Sequence, residues 1–169
     1  MIKIRIANVA DAQLLADHNC AMALETEGKI LDAKAAIAGA EGLFERPQFG
    51  FYIVAEAREP EASSSKAGAL KASSSVAATL LVTYEWSDWR NGLFWWIQSV
   101  YVKAEFRRQG IYTEMYRQLQ EIAAASPTPV CGFRLYAETE NTMAQATYKN
   151  CGMKACDYIM FEQEAGLEC

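Results

Sequence analysis

The segment Arg107-Arg108-Gln109-Gly110-Ile111-Tyr112 constrains this chain most, because an apolar, strand-like run at about 93–103 feeds it and a helix follows it. Ile111, Met115, Leu119 and Ile122 recur at helical spacing through about Ala125, and Pro127 and Pro129 stop that helix. A strand delivered straight into a helix leaves first-turn N–H groups without intrahelical acceptors, which suits a phosphate or pyrophosphate. Gly110 lets a ligand approach the backbone, since no Cβ stands in the way. The competing reading of the same residues is a solvated basic turn.

A second segment, Asn141-Thr-Met-Ala144-Gln-Ala-Thr-Tyr148-Lys-Asn-Cys-Gly152-Met153, reads as a helix carrying one tyrosine and ending at glycine. Three- and four-residue spacing puts Asn141, Ala144 and Tyr148 on one face. A tyrosine of ordinary pKa, about 10, stays protonated at neutral pH and can donate to a leaving group. Packing on the core is the alternative for Tyr148. A phosphate cradle plus a proton donor suggests a transferase that uses a phosphate-bearing carrier.

The remaining elements follow from pattern. Ile2, Ile4 and Ile6 alternate in a first strand, and Asn8 stands three residues before Asp11, a helix start resembling a capping box. That helix carries Leu14, Leu15, His18 and Met22 and frays near Gly28; Asp32 is the expected cap of a second helix through about Phe44. Strands are expected at 49–57, 76–86, 130–138 and 154–163, with a hairpin turn at Asn91-Gly92. Residues 58–75, with two Ser-Ser-Ser runs, are expected to form a flexible loop inside a single domain of residues 1–169. The sum is a mixed α/β pattern.

The chain has 169 residues, 51% of them apolar, enough to bury a core. Its net charge of −5 argues against a general nucleic-acid binder, and no run is apolar and long enough for a membrane span. Five scattered cysteines show no disulfide-framework spacing and the N-terminus shows no signal peptide, so a cytoplasmic protein with reduced thiols is expected. No His-Glu-x-x-His and no Cys-x-x-Cys occurs, so no metal site is expected. His18, the lone histidine, is expected in the core or on a helix surface.

In element order and in both segments the chain resembles the GNAT superfamily of acyl-CoA-dependent N-acyltransferases. Arg107, Gly110 and Tyr112 fill the three positions of that family's [Arg/Gln]-x-x-Gly-x-[Gly/Ala] loop. Asn141, Ala144, Tyr148 and Gly152 match its Asn-x-x-Ala-x-x-x-Tyr-x-x-x-Gly pattern. The resemblance implies a mixed, largely antiparallel central sheet flanked by helices, acetyl-CoA as co-substrate, and direct transfer to a primary amine. It also implies that N–H groups of Arg108, Gln109, Gly110, Ile111, Tyr112 and Thr113 converge on the diphosphate. The strand around Val100 and Val102 would splay from its neighbour and pair with the pantetheine arm, with Asn141 and Tyr148 nearby. Tyr112 departs from the small residue usual in its slot; its side chain turns outward, narrows the cradle or shifts the cofactor.

For the amine's proton, Glu85 is the base candidate, by direct abstraction or through water. By resemblance, Glu25, Glu27 and Asp32 line the acceptor pocket; a solvated helix end is the other reading of each. Trp86, Trp89, Trp95 and Trp96 either pack around the hairpin and core or form an acceptor wall or homodimer surface. The acceptor is expected to be a small amine such as a polyamine, amino sugar or amino acid, or a peptide N-terminus or lysine. A longer acyl chain, and a non-catalytic CoA-binding module on the same scaffold, remain alternatives.

Overall fold

A computed structural model describes residues 2–58 and 74–163, in two compact units, Met1–Tyr136 and Ala137–Cys169. Most of the segment expected as a loop, 59–73, lies outside the described residues.

The first unit is a five-stranded sheet in the order β1 (Lys3–Ile6), β2 (Gly50–Arg58), β3 (Ser74–Ser87), β4 (Gly92–Val102), β5 (Val130–Arg134). The first four strands pair antiparallel, and β5 runs parallel to β4. The sheet is thus mixed and largely antiparallel, flanked by helices.

Local chemistry sets the helix boundaries. Asn8 accepts from Ala10 N–H at 2.9 Å and Asp11 accepts from Asn8 N–H at 2.8 Å, closing a capping box on a short 3-10 turn ahead of α1 (Ala12–Glu27). Arg5 locks that box to the sheet, donating to Asp11 at 2.7 and 2.9 Å and to Glu56 at 2.6 Å. Helix α1 stops where Gly28 turns left-handed at φ 65° and Lys29 N–H reaches back to the Ala23 carbonyl. Asp32 caps α2 (Ala33–Glu45) through Ala35 N–H at 2.8 Å. One face of α3 (Ile111–Ala124), made of Ile111, Tyr112, Met115, Tyr116, Leu119 and Ala123, is buried.

The sheet separates two packing faces. Ala12 and Leu15 of α1, Ala40 of α2 and Tyr52 and Val54 of β2 form one cluster, against which Leu81 of β3 packs. By period-two alternation Thr79, Thr83 and Glu85 share Leu81's face. The opposite face carries Tyr84, Trp95 and Phe51 in mutual ring contact, with Phe133 against both Trp95 and Tyr116 of α3. Of the four tryptophans only Trp95 is core, 3% exposed, whereas Trp89 at the hairpin tip is 88% exposed.

The second unit holds α4 (Thr142–Asn150), capped where the Asn141 side chain accepts from Ala144 N–H at 3.0 Å. Gln145 reinforces the start by donating to the carbonyls of Glu138 and Thr139, both at 2.9 Å. Two expectations fail. The strand expected to run to 138 ends at Arg134, and residues 154–163 form no strand. Apolar Tyr158, Ile159, Met160 and Phe161 suggested β structure, but a strand needs a partner edge, and among its described residues this unit offers none.

Candidate active site

Two departures from regularity in β4 define the site. Its pairing with β5 ends at Trp96↔Arg134 although the strand continues to Val102, so among the described residues no strand pairs with the β5 side of β4 from Ile97 onward. On its other side, Leu80 pairs with Val100 and Val82 with Ile97, so Gln98 and Ser99 together oppose Leu81. A bulge of this kind adds a residue and re-aims the local backbone. The open edge therefore offers ladder-type hydrogen bonding to an extended chain, with the bulge where β4 and β5 part.

Downstream, β4 runs through a short 3-10 turn (Ala104–Phe106) into the segment ahead of α3. Arg108 and Gly110 both take left-handed backbone, φ 62° and 75°. For Arg108 that conformation is uncommon and marks stored strain; glycine adopts it freely. No heavy atom lies within 4 Å of where a Cβ on Gly110 would stand, so its backbone is approachable. The first intrahelical bond of α3 runs from Glu114 N–H to the Gly110 carbonyl at 3.0 Å, and the amides before it carry no i−4 acceptor within the helix. Gln109 and Gly110 are exposed and lead directly into buried Ile111 at the positive end of α3, a fit for a diphosphate. Tyr112 neither turns outward nor narrows this turn: it is 8% exposed and stacks on Tyr116 with ring centroids 6.2 Å apart.

Arg107 is a strut. Its Nε donates to the Val102 carbonyl at 2.8 Å, its Nη2 pairs with Glu25, and its guanidinium lies 5.8 Å from the Tyr101 ring centre. Tyr101 donates to the same Glu25 carboxylate at 3.0 Å. The neighbouring guanidinium holds the Glu25 carboxyl below its ordinary range. Of the three candidate acceptor carboxylates, Glu25 therefore serves the loop, Glu27 pairs with Lys29 at 2.6 Å, and Asp32 caps α2.

Beneath β3 and β4, buried His18 of α1 sets Nδ1 3.3 Å from Thr79 Oγ1, with its ring 5.0 Å from that of Tyr101. Burial, aided by the positive charge of Lys103, pushes its pKa down to about 4.

Glu85 anchors a second constellation that sequence reasoning did not assemble. Its carboxylate accepts from Arg134 Nη1 at 2.7 and 3.0 Å and from Trp96 Nε1. The Arg134 guanidinium lies 3.7 Å from the Phe94 ring centre. Tyr136 packs beside Trp96 at 6.3 Å and donates to Gln98 Oε1 at 3.0 Å; Gln98 in turn donates to Thr83 at 2.8 Å. Register and alternation put all of these on the α1/α2 face of the sheet. The available signal was the period-two set Gly132, Arg134, Tyr136, facing away from Phe133.

In the second unit, Tyr148 is half-buried on α4, and burial raises its hydroxyl pKa. Asn141 spends its side-chain oxygen on the cap. Among the described residues, no group of three or more His, Cys, Asp or Glu gathers to hold a metal ion, and no helix is long and apolar enough to cross a membrane.

Residues 32–153 match the family model described as Acetyltransferase (GNAT) family, a span that enters both units. Among solved structures, a possible acetyltransferase from Clostridium difficile 630 is 39% identical, with 98% of each chain covered and a TM-score of 0.80. An aminoglycoside N-acetyltransferase in complex with CoA shares the fold at 12% identity, covering 98% of this chain and 95% of its own, TM-score 0.69. A ribosomal-protein-alanine N-acetyltransferase from Brucella melitensis biovar Abortus 2308 shares it at 13% identity, covering 97% and 99%, TM-score 0.67. No curated protein matches the chain.

Proposed function

The chain belongs to the GNAT acetyltransferase family, and on that premise we propose that it transfers an acetyl group from acetyl-CoA to a primary amine, directly and within a ternary complex. The observation that carries this reading is the parting of β4 from β5 after Trp96, with a bulge at Gln98–Ser99 and a left-handed turn at Arg108 and Gly110. An extended amide-bearing arm pairs with the free edge around Val100 and Val102, and its diphosphate end meets the N–H groups of the turn. The bulged backbone then polarises the thioester carbonyl.

Glu85 takes the amine's proton, with water as relay while Arg134 and Trp96 occupy its oxygens. The amine nitrogen attacks the carbonyl carbon, the C–N bond forms and the C–S bond breaks. Tyr148 supplies a proton to the departing thiolate, and its raised pKa keeps that proton available at neutral pH. The chain acts in this reading as one catalytic domain in the cytoplasm. A non-catalytic module drew its support from a tyrosine inside the cradle, and Tyr112 packs on Tyr116 instead.

The test is thiol release from acetyl-CoA against a panel of amines, with calorimetric CoA binding alongside. Amine-dependent release is expected. CoA binding with no amine-dependent release on any amine would sink the enzymatic reading.

A further inference from the structure

Resting on that reading, we infer that the Glu85–Arg134 shelf receives an amino-carboxylate acceptor: its ammonium lies on Glu85 and its carboxylate on the outer edge of Arg134.

The geometry sets the two charges side by side and fixes both. Arg134 spends one nitrogen, Nη1, on both oxygens of Glu85 at 2.7 and 3.0 Å. Its guanidinium rests on the Phe94 ring at 3.7 Å, so the plane is held. Among the described residues, its Nε–Nη2 edge donates to no protein acceptor, although that edge matches a carboxylate's two oxygens. Glu85 is steadied from the other side by the Trp96 indole. Neither group is sealed off, the side chains being 38% and 37% exposed.

Charge complementarity selects the ligand class. The pair is neutral overall, so a simple cation is attracted by Glu85 and repelled by Arg134, and a simple anion meets the reverse. A molecule that carries both charges close together gains at both ends. Tyr136, 56% exposed beside Trp96, adds an aromatic flank for the rest of that molecule.

The shelf also lies where an acceptor is needed. Trp96 and Arg134 are the last paired residues before β4 and β5 part. Gln98, in the bulge, is two residues further, about 7 Å along a strand. With the substrate carboxylate on the outer edge of Arg134, the ammonium stands against Glu85, and in the transfer reaction its proton leaves to Glu85 through the water relay. The substrate is left as the neutral amine and Glu85 as the neutral acid, and the total charge is unchanged.

The full chain loaded with CoA is titrated calorimetrically with the common L-amino acids. Each one that binds is compared with its carboxamide and its decarboxylated amine, and thiol release from acetyl-CoA is followed in parallel. At least one amino acid is expected to bind ten-fold or more tightly than both relatives. Arg134→Met should erase that preference, and Arg134→Lys, which keeps the charge without the fork, should retain part of it. Absence of amino-acid binding, equal binding of the three forms, or a preference that survives Arg134→Met would overturn the shelf. Equal thiol release from all three forms overturns it while leaving N-acetyl transfer standing. A carboxylate preference without thiol release upholds the shelf and overturns N-acetyl transfer instead.

Discussion

Arg107 and Glu25, 82 residues apart in sequence, form an ion pair that ties the end of α1 to the turn entering α3. The arginine in the motif therefore shapes the turn through Glu25 and the Val102 carbonyl. Both partners are more than 40% exposed, so solvent screening holds their contribution to global stability below about 1 kcal/mol. Glu25→Ala should leave the melting temperature nearly unchanged and weaken CoA binding by about twofold to fivefold. Calorimetry on the two proteins decides it, and equal affinities would make the pair incidental.

Gly110→Ala separates backbone conformation from space. A Cβ there meets nothing within 4 Å, but at φ 75° it brings a steric cost of about 1–2 kcal/mol. The variant should fold with slightly lower stability and lose CoA affinity by about tenfold, as expected if one hydrogen bond to a charged group is lost. Unaltered affinity would move the diphosphate elsewhere.

Tyr148→Phe should reduce kcat by about a hundredfold with CoA affinity unchanged. Because burial raises the hydroxyl pKa, the wild-type rate should show no loss of the acid on the alkaline side below about pH 10. A rate that falls with an apparent pKa near 8 would point to another donor.

His18 makes stability depend on pH. Its pKa is lowered from 6.5 to about 4 in the fold, so the unfolded chain binds the proton more readily between those values. Its contribution is fully present above about pH 6.5 and is lost as the pH falls toward 4, by at most about 3 kcal/mol. Urea midpoints at pH 7.5 and 4.5 should differ by more in the wild type than in His18→Leu.

Asp11→Ala opens the capping box of the 3-10 turn ahead of α1 and leaves Arg5 with Glu56 as its remaining carboxylate partner. A loss of about 2 kcal/mol is expected in urea unfolding. Arg5 lowers the Asp11 pKa, so this contribution is present above the ordinary carboxylate range and disappears as pH falls below it.

What the sequence made legible was local. Asn8 with Asp11, and Asp32, depend on partners a few residues away and cap as the residue pattern suggested; the Asn141 cap is equally local. Glu25–Arg107 and Glu85–Arg134 span 82 and 49 residues, and only tertiary structure brings them together, α1 packing on the sheet in the first case and strand register in the second. Tyr112 misled for a different reason. The motif slot suggested a clash with the cradle, but helical phase turns the ring into the same buried face as Met115 and Tyr116. The strand expected at 154–163 failed because apolar composition does not provide a neighbour to pair with.

The edge of β4 beyond Trp96 has a consequence for handling the protein. Unsatisfied strand edges recruit other strands, and a segment rich in β-branched and aromatic residues such as Val100-Tyr101-Val102 is the kind that nucleates self-association. A ligand lying along that edge would act as a removable guard strand. Purified protein should stay dispersed longer with CoA present than without it, and light scattering during storage would register the difference.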